Sequence, residues 1–72
     1  MQVLCIFSQE DLNSGEATAV LELPDGMTKD QAFLAWIKDR SSYWKDKDDK
    51  YILENAEYAW NAYEPKKVPG VV

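Results

Sequence analysis

The chain contains one cysteine and no histidine, and this limits most strongly how it can be stabilised. A single thiol, Cys5, excludes an intramolecular disulfide, and without histidine or a cysteine cluster there are no ligands for a structural zinc ion. With 72 residues, the chain is also short enough to bury only about 60% of its unfolded surface. We therefore expect one small domain, residues 1–72, whose modest stability rests on a hydrophobic core.

Composition and the lengths of the apolar runs define the broad class of protein. Hydrophobic residues make up 46% of the chain and aromatic residues 12%, which indicates a folded core and not a disordered chain. Small secreted domains usually depend on disulfides, so the lone thiol favours a reducing compartment, and we expect a cytoplasmic protein. The longest apolar run, residues 32–37, is too short to cross a bilayer, and we expect neither a membrane span nor a signal peptide.

Two N-terminal segments have the composition of β-strands. Residues 3–7 are apolar with no breaker, and residues 17–23 alternate between apolar and more polar positions. The polar segment between them contains Asn-Ser-Gly, which is typical of a turn. One helical turn capped by Ser8, with Asp11 three residues later, also fits this segment. We predict a β-hairpin with an acidic loop.

A helix is predicted over residues 28–42. Thr28 and Gln31 have the spacing of a capping box, and a pair of serines marks the end of the helix. One side of this helix carries the large apolar side chains, which are Phe33, Leu34, Trp36 and Ile37. This side is predicted to pack against the sheet.

A second helix is predicted over residues 48–64, because Pro65 would end it and its apolar residues recur with helical spacing. Those apolar residues are Ile52, Ala56, Ala59, Trp60 and Tyr63. The predicted fold class is therefore α+β, in ββαα order, with both helices on one face of a small antiparallel sheet.

The C-terminal tail, residues 65–72, has two interpretations. It is either flexible or adds an edge strand to the hairpin through Val68, Val71 and Val72. Pro69 excludes a central position in the sheet, since proline cannot donate a ladder hydrogen bond.

The segment KDKDDK looks most like a chemical motif. Asp46, Asp48 and Glu57 match the first, third and twelfth positions of a calcium-binding EF-hand loop. The fifth and sixth positions are Lys50 and Tyr51, where such a loop requires an oxygen ligand and a glycine. We therefore interpret the segment as the solvated start of the second helix, capped by Asp46 or Asp48, and expect no metal.

Catalytic groups are sparse along the whole chain. There is no histidine to act as a base near neutral pH, no nucleophile paired with a base, and no glycine-rich phosphate loop. Cys5 lies in an apolar strand and is predicted to be a small core residue. We expect neither enzymatic activity nor a cofactor.

Charge is distributed unevenly. Residues 1–37 carry six acidic residues and one basic residue, so this segment alone accounts for the net charge of −5. The chain lacks the basic surface that nucleic acids and anionic membranes require, which disfavours direct binding to either. A partner protein with a basic surface is favoured instead. The candidate contact residues in this acidic part are Glu10, Asp11, Glu16, Glu22 and Asp25.

Three tryptophans and four tyrosines are the strongest positive signal, because aromatic side chains dominate both small cores and binding hot spots. Trp36 and Trp60 lie on predicted core faces. Trp44 follows the predicted end of the first helix, which leaves a buried and an exposed position open. The candidate aromatic contacts are Tyr43, Trp44, Tyr51 and Tyr58.

These patterns predict a small acidic protein-binding module that modulates, and most simply inhibits, a partner protein. Inhibition would follow if the module occupied a basic nucleic-acid-binding surface, and its size and charge are like those of small phage or mobile-element inhibitors. The alternative is a self-associating structural protein or an accessory subunit of a larger complex, since exposed sheet edges invite pairing. A monomer and a homodimer both fit the sequence.

Overall fold

The structure, a computed structural model, describes residues 1–68. This part of the chain is an α+β fold, as predicted, with three strands in one antiparallel sheet and four helices. The strands are β1 (Gln2–Ser8), β2 (Ala19–Leu23) and β3 (Tyr58–Tyr63). The helices are α1 (Gln9–Ser14), α2 (Lys29–Arg40), α3 (Ser42–Lys45) and α4 (Asp49–Asn55), and a 3-10 turn covers Pro65–Lys67.

Strand β1 lies at the centre of the sheet, in the order β2-β1-β3. Leu4 pairs with Leu21 on one side and Ala62 on the other, and Ile6 pairs with Trp60. These residues share one face of the sheet because side chains alternate along a strand. Leu4 and Ile6 are fully buried, so this face of the sheet forms one side of the hydrophobic core.

Helices α2 and α4 cover this face, as predicted, and close the core. Its buried members are Leu4, Ile6, Leu23, Ala32, Phe33, Ile37 and Ile52. The ring of Phe33 stacks on that of Trp60, with the centroids 3.9 Å apart and the planes within 3° of parallel. Stacked aromatic pairs contribute about 0.5–1.5 kcal/mol beyond the area they bury. This contact joins α2 to β3.

The other face of β1 carries Cys5 and Phe7, which are also buried. Burial raises the pKa of the Cys5 thiol and so keeps it protonated and unreactive near neutral pH, in agreement with its predicted core position. Val20 of β2 lies opposite Cys5 on this face and is 44% exposed. The sheet is therefore open to solvent along this part of β2.

Local capping explains where α1 and α2 begin. The predicted helical turn after β1 is α1, and the Ser8 hydroxyl accepts a hydrogen bond from the Asp11 backbone N–H at 3.3 Å. Gly15 ends α1 in the left-handed region, at φ 78°, which favours glycine. The predicted capping box of α2 is present in full, since Thr28 and Gln31 bond each other's backbone N–H groups.

The predicted second helix is wrong beyond Asn55. Helix α4 ends there, Ala56 is extended (φ −67°, ψ 130°), and β3 follows. Over so short a length the sequence YAWNAY suits either structure, since aromatic residues favour strands while the apolar spacing also fits a helix. The free edge of β1 decides between them, because β3 pairs with its backbone groups.

The replacement of the second half of the predicted helix by β3 alters the predicted positions of several side chains and the origin of the third strand. The prediction that Ala59 and Tyr63 lie beside Trp60 on a core face is wrong: they lie on the opposite face of the sheet, because side chains in a strand alternate with a period of two and not 3.6. Strand β3 is the third strand of the described sheet, and Val68 follows the 3-10 turn and lies outside any strand. The remaining tail predictions, at Pro69, Val71 and Val72, fall outside the described residues.

The segment KDKDDK joins α3 to α4. Asp48 occupies the N-cap position of α4, but its side chain accepts no capping hydrogen bond, and Asp46 lies at the end of α3, so the predicted cap is absent. Asp49 lies in the first turn of α4, where the helix dipole favours an anion. Asp49 also forms an ion pair with Lys38 of α2, with 2.6 Å between Nζ and Oδ1. The segment therefore starts a helix, as predicted, and ties that helix to α2.

Replacing Phe33 with alanine should lower the free energy of unfolding by about 3–5 kcal/mol, because the change leaves a cavity and removes the stack on Trp60. Urea denaturation followed by tryptophan fluorescence measures this loss. The control is Leu12→Ala, at a side chain that is 47% exposed, which should change the free energy by less than about 0.5 kcal/mol. Equal losses in the two variants would contradict the central position of Phe33.

Candidate functional site

A groove of about 660 Å³ opens between the end of β1, helices α3 and α4, and the start of β3. Three separate segments of the chain line it: Ser8, Gln9 and Glu10; Tyr43 and Trp44; and Tyr51, Asn55, Glu57 and Tyr58. Glu10 and all four aromatic candidates from the sequence therefore lie around one groove. Their role in binding stays a prediction, but their convergence makes this groove the candidate site.

The register of the sheet positions one side of the groove. Ser8, the last residue of β1, pairs with Tyr58, the first residue of β3. Ser8 is also the N-cap of α1, whose first turn supplies Gln9 and Glu10. One strand end thus fixes the start of α1 and the start of β3 next to each other.

Three aromatic side chains form the other side of the groove. Trp44 meets Tyr43 edge-to-face at 4.8 Å between ring centroids and lies tilted to Tyr51 at 6.3 Å. Trp44 is half-buried and packs against the core, whereas Tyr43 and Tyr51 are 57% and 42% exposed. We call Tyr43, Trp44 and Tyr51 the aromatic cluster. Trp44, for which the sequence left a buried and an exposed position open, is partly both: it packs against the core and also lines the groove.

Tyr58 connects the groove to the core. Its ring lies edge-to-face with Trp36 at 5.4 Å and tilted to Phe33 at 6.2 Å between centroids. The side chain is half-buried and also lines the groove. It therefore presents a fixed, pre-organised wall, in contrast to the exposed rings of Tyr43 and Tyr51.

A cation already lies beside the aromatic cluster. The ammonium of Lys47 is 4.9 Å from the centroid of the Tyr43 ring, within the range of a cation–π interaction. Hydrogen bonding with the Tyr43 side chain is the main cause that raises the pKa of Tyr51, and the charge of Lys47 opposes this shift. Tyr43 and Lys47 thus both influence the pKa of Tyr51, in opposite directions.

Asp11, predicted to contact a partner, has a structural role. Its carboxylate accepts hydrogen bonds from the hydroxyls of Ser8, at 3.0 Å, and Thr18. The Ser8 backbone N–H in turn donates to the Thr18 hydroxyl at 2.9 Å. This network closes the loop that contains α1 onto the start of the following segment, so Asp11 is occupied within the fold.

The other predicted acids are scattered. Glu16 follows α1, Glu22 lies on β2 and Asp25 lies in the turn before α2; all three are exposed, and none of them lines the groove. Sequence reasoning missed Glu57, because the predicted helix placed it on a solvated face away from the tyrosines. The sequence from residue 58 onwards suits a strand and a helix alike, so no local signal could have corrected this placement.

The described residues contain neither a cluster of metal-ligating side chains nor a helix that could span a membrane. Within residues 1–68, no group of three or more Cys, Asp or Glu side chains is placed to hold a metal ion. No helix in this part of the chain has the length and apolar character needed to span a membrane.

No protein-family model matches the chain, and comparisons with curated proteins and with solved structures likewise found no match.

Asp11→Ala should lower the free energy of unfolding by about 1–2 kcal/mol, since it removes acceptors for two hydroxyl groups and loosens the start of α1. Its neighbour provides a matched control, because Glu10 is exposed and Glu10→Ala should change stability by less than about 0.5 kcal/mol. Urea denaturation of both variants measures the difference. A stable Asp11→Ala variant would show that the network does not support the fold.

Tyr51 should ionise at higher pH than an ordinary tyrosine, whose pKa is about 10. A raised phenol pKa means that the folded state holds the proton more tightly than the unfolded state. The resulting stabilisation is present below about pH 10 and is lost as the pH rises through the folded-state pKa. An NMR titration of the tyrosine rings measures this value, and Tyr43→Phe should move it down. No change in that variant would exclude the hydrogen bond as the cause.

Proposed function

We propose that this chain is a small acidic protein-binding module, without catalysis of its own, that inhibits a partner protein by covering a basic surface. The observation that carries the proposal is the groove, where exposed aromatic rings and the carboxylates of Glu10 and Glu57 line one concave surface. Aromatic side chains are enriched at protein interfaces, and carboxylates select a basic partner. If the partner uses that basic surface to bind nucleic acid, the bound module blocks it.

Two kinds of residue contribute at different stages of binding. The net charge of −5, with exposed Glu16, Glu22 and Asp25, attracts a basic surface before contact and raises the association rate. Tyr43 and Tyr51 then bury their exposed rings against the partner and lengthen the lifetime of the complex.

We place this interaction in the cytoplasm. The free Cys5 is buried in the sheet and its raised pKa protects it, which suits a protein that never forms a disulfide. A partner that handles nucleic acid in the same compartment fits this location.

A self-associating structural protein or accessory subunit remains the alternative, and one observation favours it. Val20 is 44% exposed on β2, which is an edge strand of the sheet. Edge strands with exposed apolar side chains invite pairing with a second copy. Light scattering over a range of concentrations separates the two functions, because a constant monomer mass excludes self-association.

Capture of a partner from nuclease-treated cell lysate tests the proposed function. Two variants with the same net charge are compared with the natural chain: Glu10→Gln/Glu57→Gln in the groove, and Asp39→Asn/Glu54→Gln at exposed positions outside it. We expect one nucleic-acid-binding protein to be retained at low salt and lost at higher salt, since steering charges are screened over about 8–10 Å. Retention should fall with the groove variant and persist with the control.

The captured protein is then assayed for nucleic-acid binding with and without the module. Competition between the module and nucleic acid supports inhibition. Unchanged nucleic-acid binding, or equal retention by the groove and control variants, would contradict the proposed function.

A further inference from the structure

We propose that the groove binds a basic segment of the partner through one arginine, whose guanidinium packs against the aromatic cluster and pairs with the carboxylates of Glu10 and Glu57. This inference rests on the proposed function and names the chemistry that its groove recognises. It depends on four observations: the charge of the lining, the behaviour of aromatic rings elsewhere in the fold, the size of the groove, and a resident cation beside it.

The lining of the groove is complementary to a cation. It combines four aromatic rings with two carboxylates, and none of its residues is lysine or arginine. The face of an aromatic ring is electron-rich and attracts a cation, while a carboxylate provides a full opposite charge. A basic side chain that enters the groove would therefore meet both kinds of attraction together.

The fold itself shows that its aromatic rings accept cations. The guanidinium carbon of Arg40 lies 5.1 Å from the centroid of the Trp36 ring, and Lys47 Nζ lies 4.9 Å from that of Tyr43. Both distances are within the range of about 6 Å in which this attraction operates. Tyr43 therefore has the ring environment that a partner's cation requires, in a position that is 57% exposed.

Arginine suits this lining better than lysine. A guanidinium is planar, stacks on aromatic rings and bonds a carboxylate through two parallel N–H groups. An ammonium is more strongly hydrated and offers no flat surface, so it gains less from the rings. A groove with both rings and carboxylates uses every one of these properties of the guanidinium.

The size of the groove points to a segment and not to a free amino acid. Its volume of about 660 Å³ lies in the middle of the range for ligand sites and exceeds what one side chain fills. Gln9 and Asn55 add polar groups to the lining that can bond the backbone of a bound peptide, whereas Ser8 already bonds Asp11 and Thr18. The arginine is therefore the anchor of a short, extended stretch of the partner.

Lys47 competes with the incoming arginine. It is not part of the groove lining, but its ammonium interacts with the same Tyr43 ring. Like charges near one ring repel each other, so Lys47 limits how tightly the groove holds a cation. Removing this charge should strengthen binding, which a general loss of structure would never do.

The test uses short blocked peptides with one central residue flanked by glycine and serine. The central residue is arginine, lysine, or citrulline, which has nearly the shape of arginine but no charge. Binding is followed by NMR at the side-chain signals of Trp44, Tyr43 and Tyr51. We expect saturable shifts with the arginine peptide, weaker binding of the lysine peptide, and a loss of about tenfold or more with citrulline.

Variants of the chain locate the binding to the groove. With the arginine peptide, Glu10→Gln/Glu57→Gln and Tyr51→Leu should each weaken binding by about two- to fivefold. Asp39→Asn/Glu54→Gln changes the net charge equally, at exposed positions outside the groove, and should leave affinity within about twofold. Lys47→Gln should tighten binding by about two- to fivefold. The NMR spectrum of each variant shows directly whether it is folded.

The outcomes separate this inference from the proposed function. Absence of saturable binding of the arginine peptide, equal binding of citrulline, or equal weakening by the groove and control variants overturns the arginine site. Lysine binding as tight as arginine overturns the assignment to a guanidinium. If partner capture still depends on the groove in any of these cases, the module function stands while the arginine site fails. If the peptide binds as expected but no partner is inhibited, the site stands and the proposed function fails.

Discussion

The packing of Phe33 on Trp60 is the contact on which the rest of this fold depends. Phe33 is fully buried at the centre of the core, and its ring lies 3.9 Å from that of Trp60. Asp30, one turn earlier on α2, accepts a hydrogen bond at 2.9 Å from the indole N–H of Trp60 and fixes its orientation. A chain without a disulfide relies on such contacts to hold β3 against a helix formed much earlier in the sequence.

The packing of Phe33 on Trp60 also determines the geometry of the groove. Tyr58 lies two residues before Trp60 on β3, so both side chains are on the same face of the sheet. Fixing Trp60 under α2 therefore fixes Tyr58 as well, and pairing with Ser8 brings Tyr58 beside the start of α1. The groove is thus a surface extension of the core, and changes in the core should be expected to alter its shape.

The sequence predicted the parts of the fold that depend on local signals. The capping pairs Ser8–Asp11 and Thr28–Gln31 lie three residues apart, and each signal can be recognised without knowledge of the rest of the chain. Strand β3 depends on a non-local fact, the unpaired edge of β1, and its own residues suit a helix as well. The α+β class was predictable because it follows from such local signals. The end of α4 at Asn55 was not predictable, because it depends on the pairing of β3 with β1.

The same distinction explains how much of the groove was predictable. Tyr43 and Trp44 are adjacent in sequence, and Tyr51 follows shortly after them in the next helix, so their grouping depends little on the long-range fold. Glu57 joins them only because the chain becomes extended after α4, which no local signal specifies.

The effect of the acidic residues on partner binding depends more on their positions than on the net charge of the chain. Asp11 and Asp30 accept hydrogen bonds from other residues of the fold. Their carboxylates therefore stabilise the start of α1 and the orientation of Trp60. Acids outside the groove act on a partner over a distance of about one Debye length, and salt weakens them. Acids beside the aromatic rings act at contact, where water is partly excluded and screening is weaker. Association rate and lifetime of a complex should therefore depend on different residues, and each can change without the other.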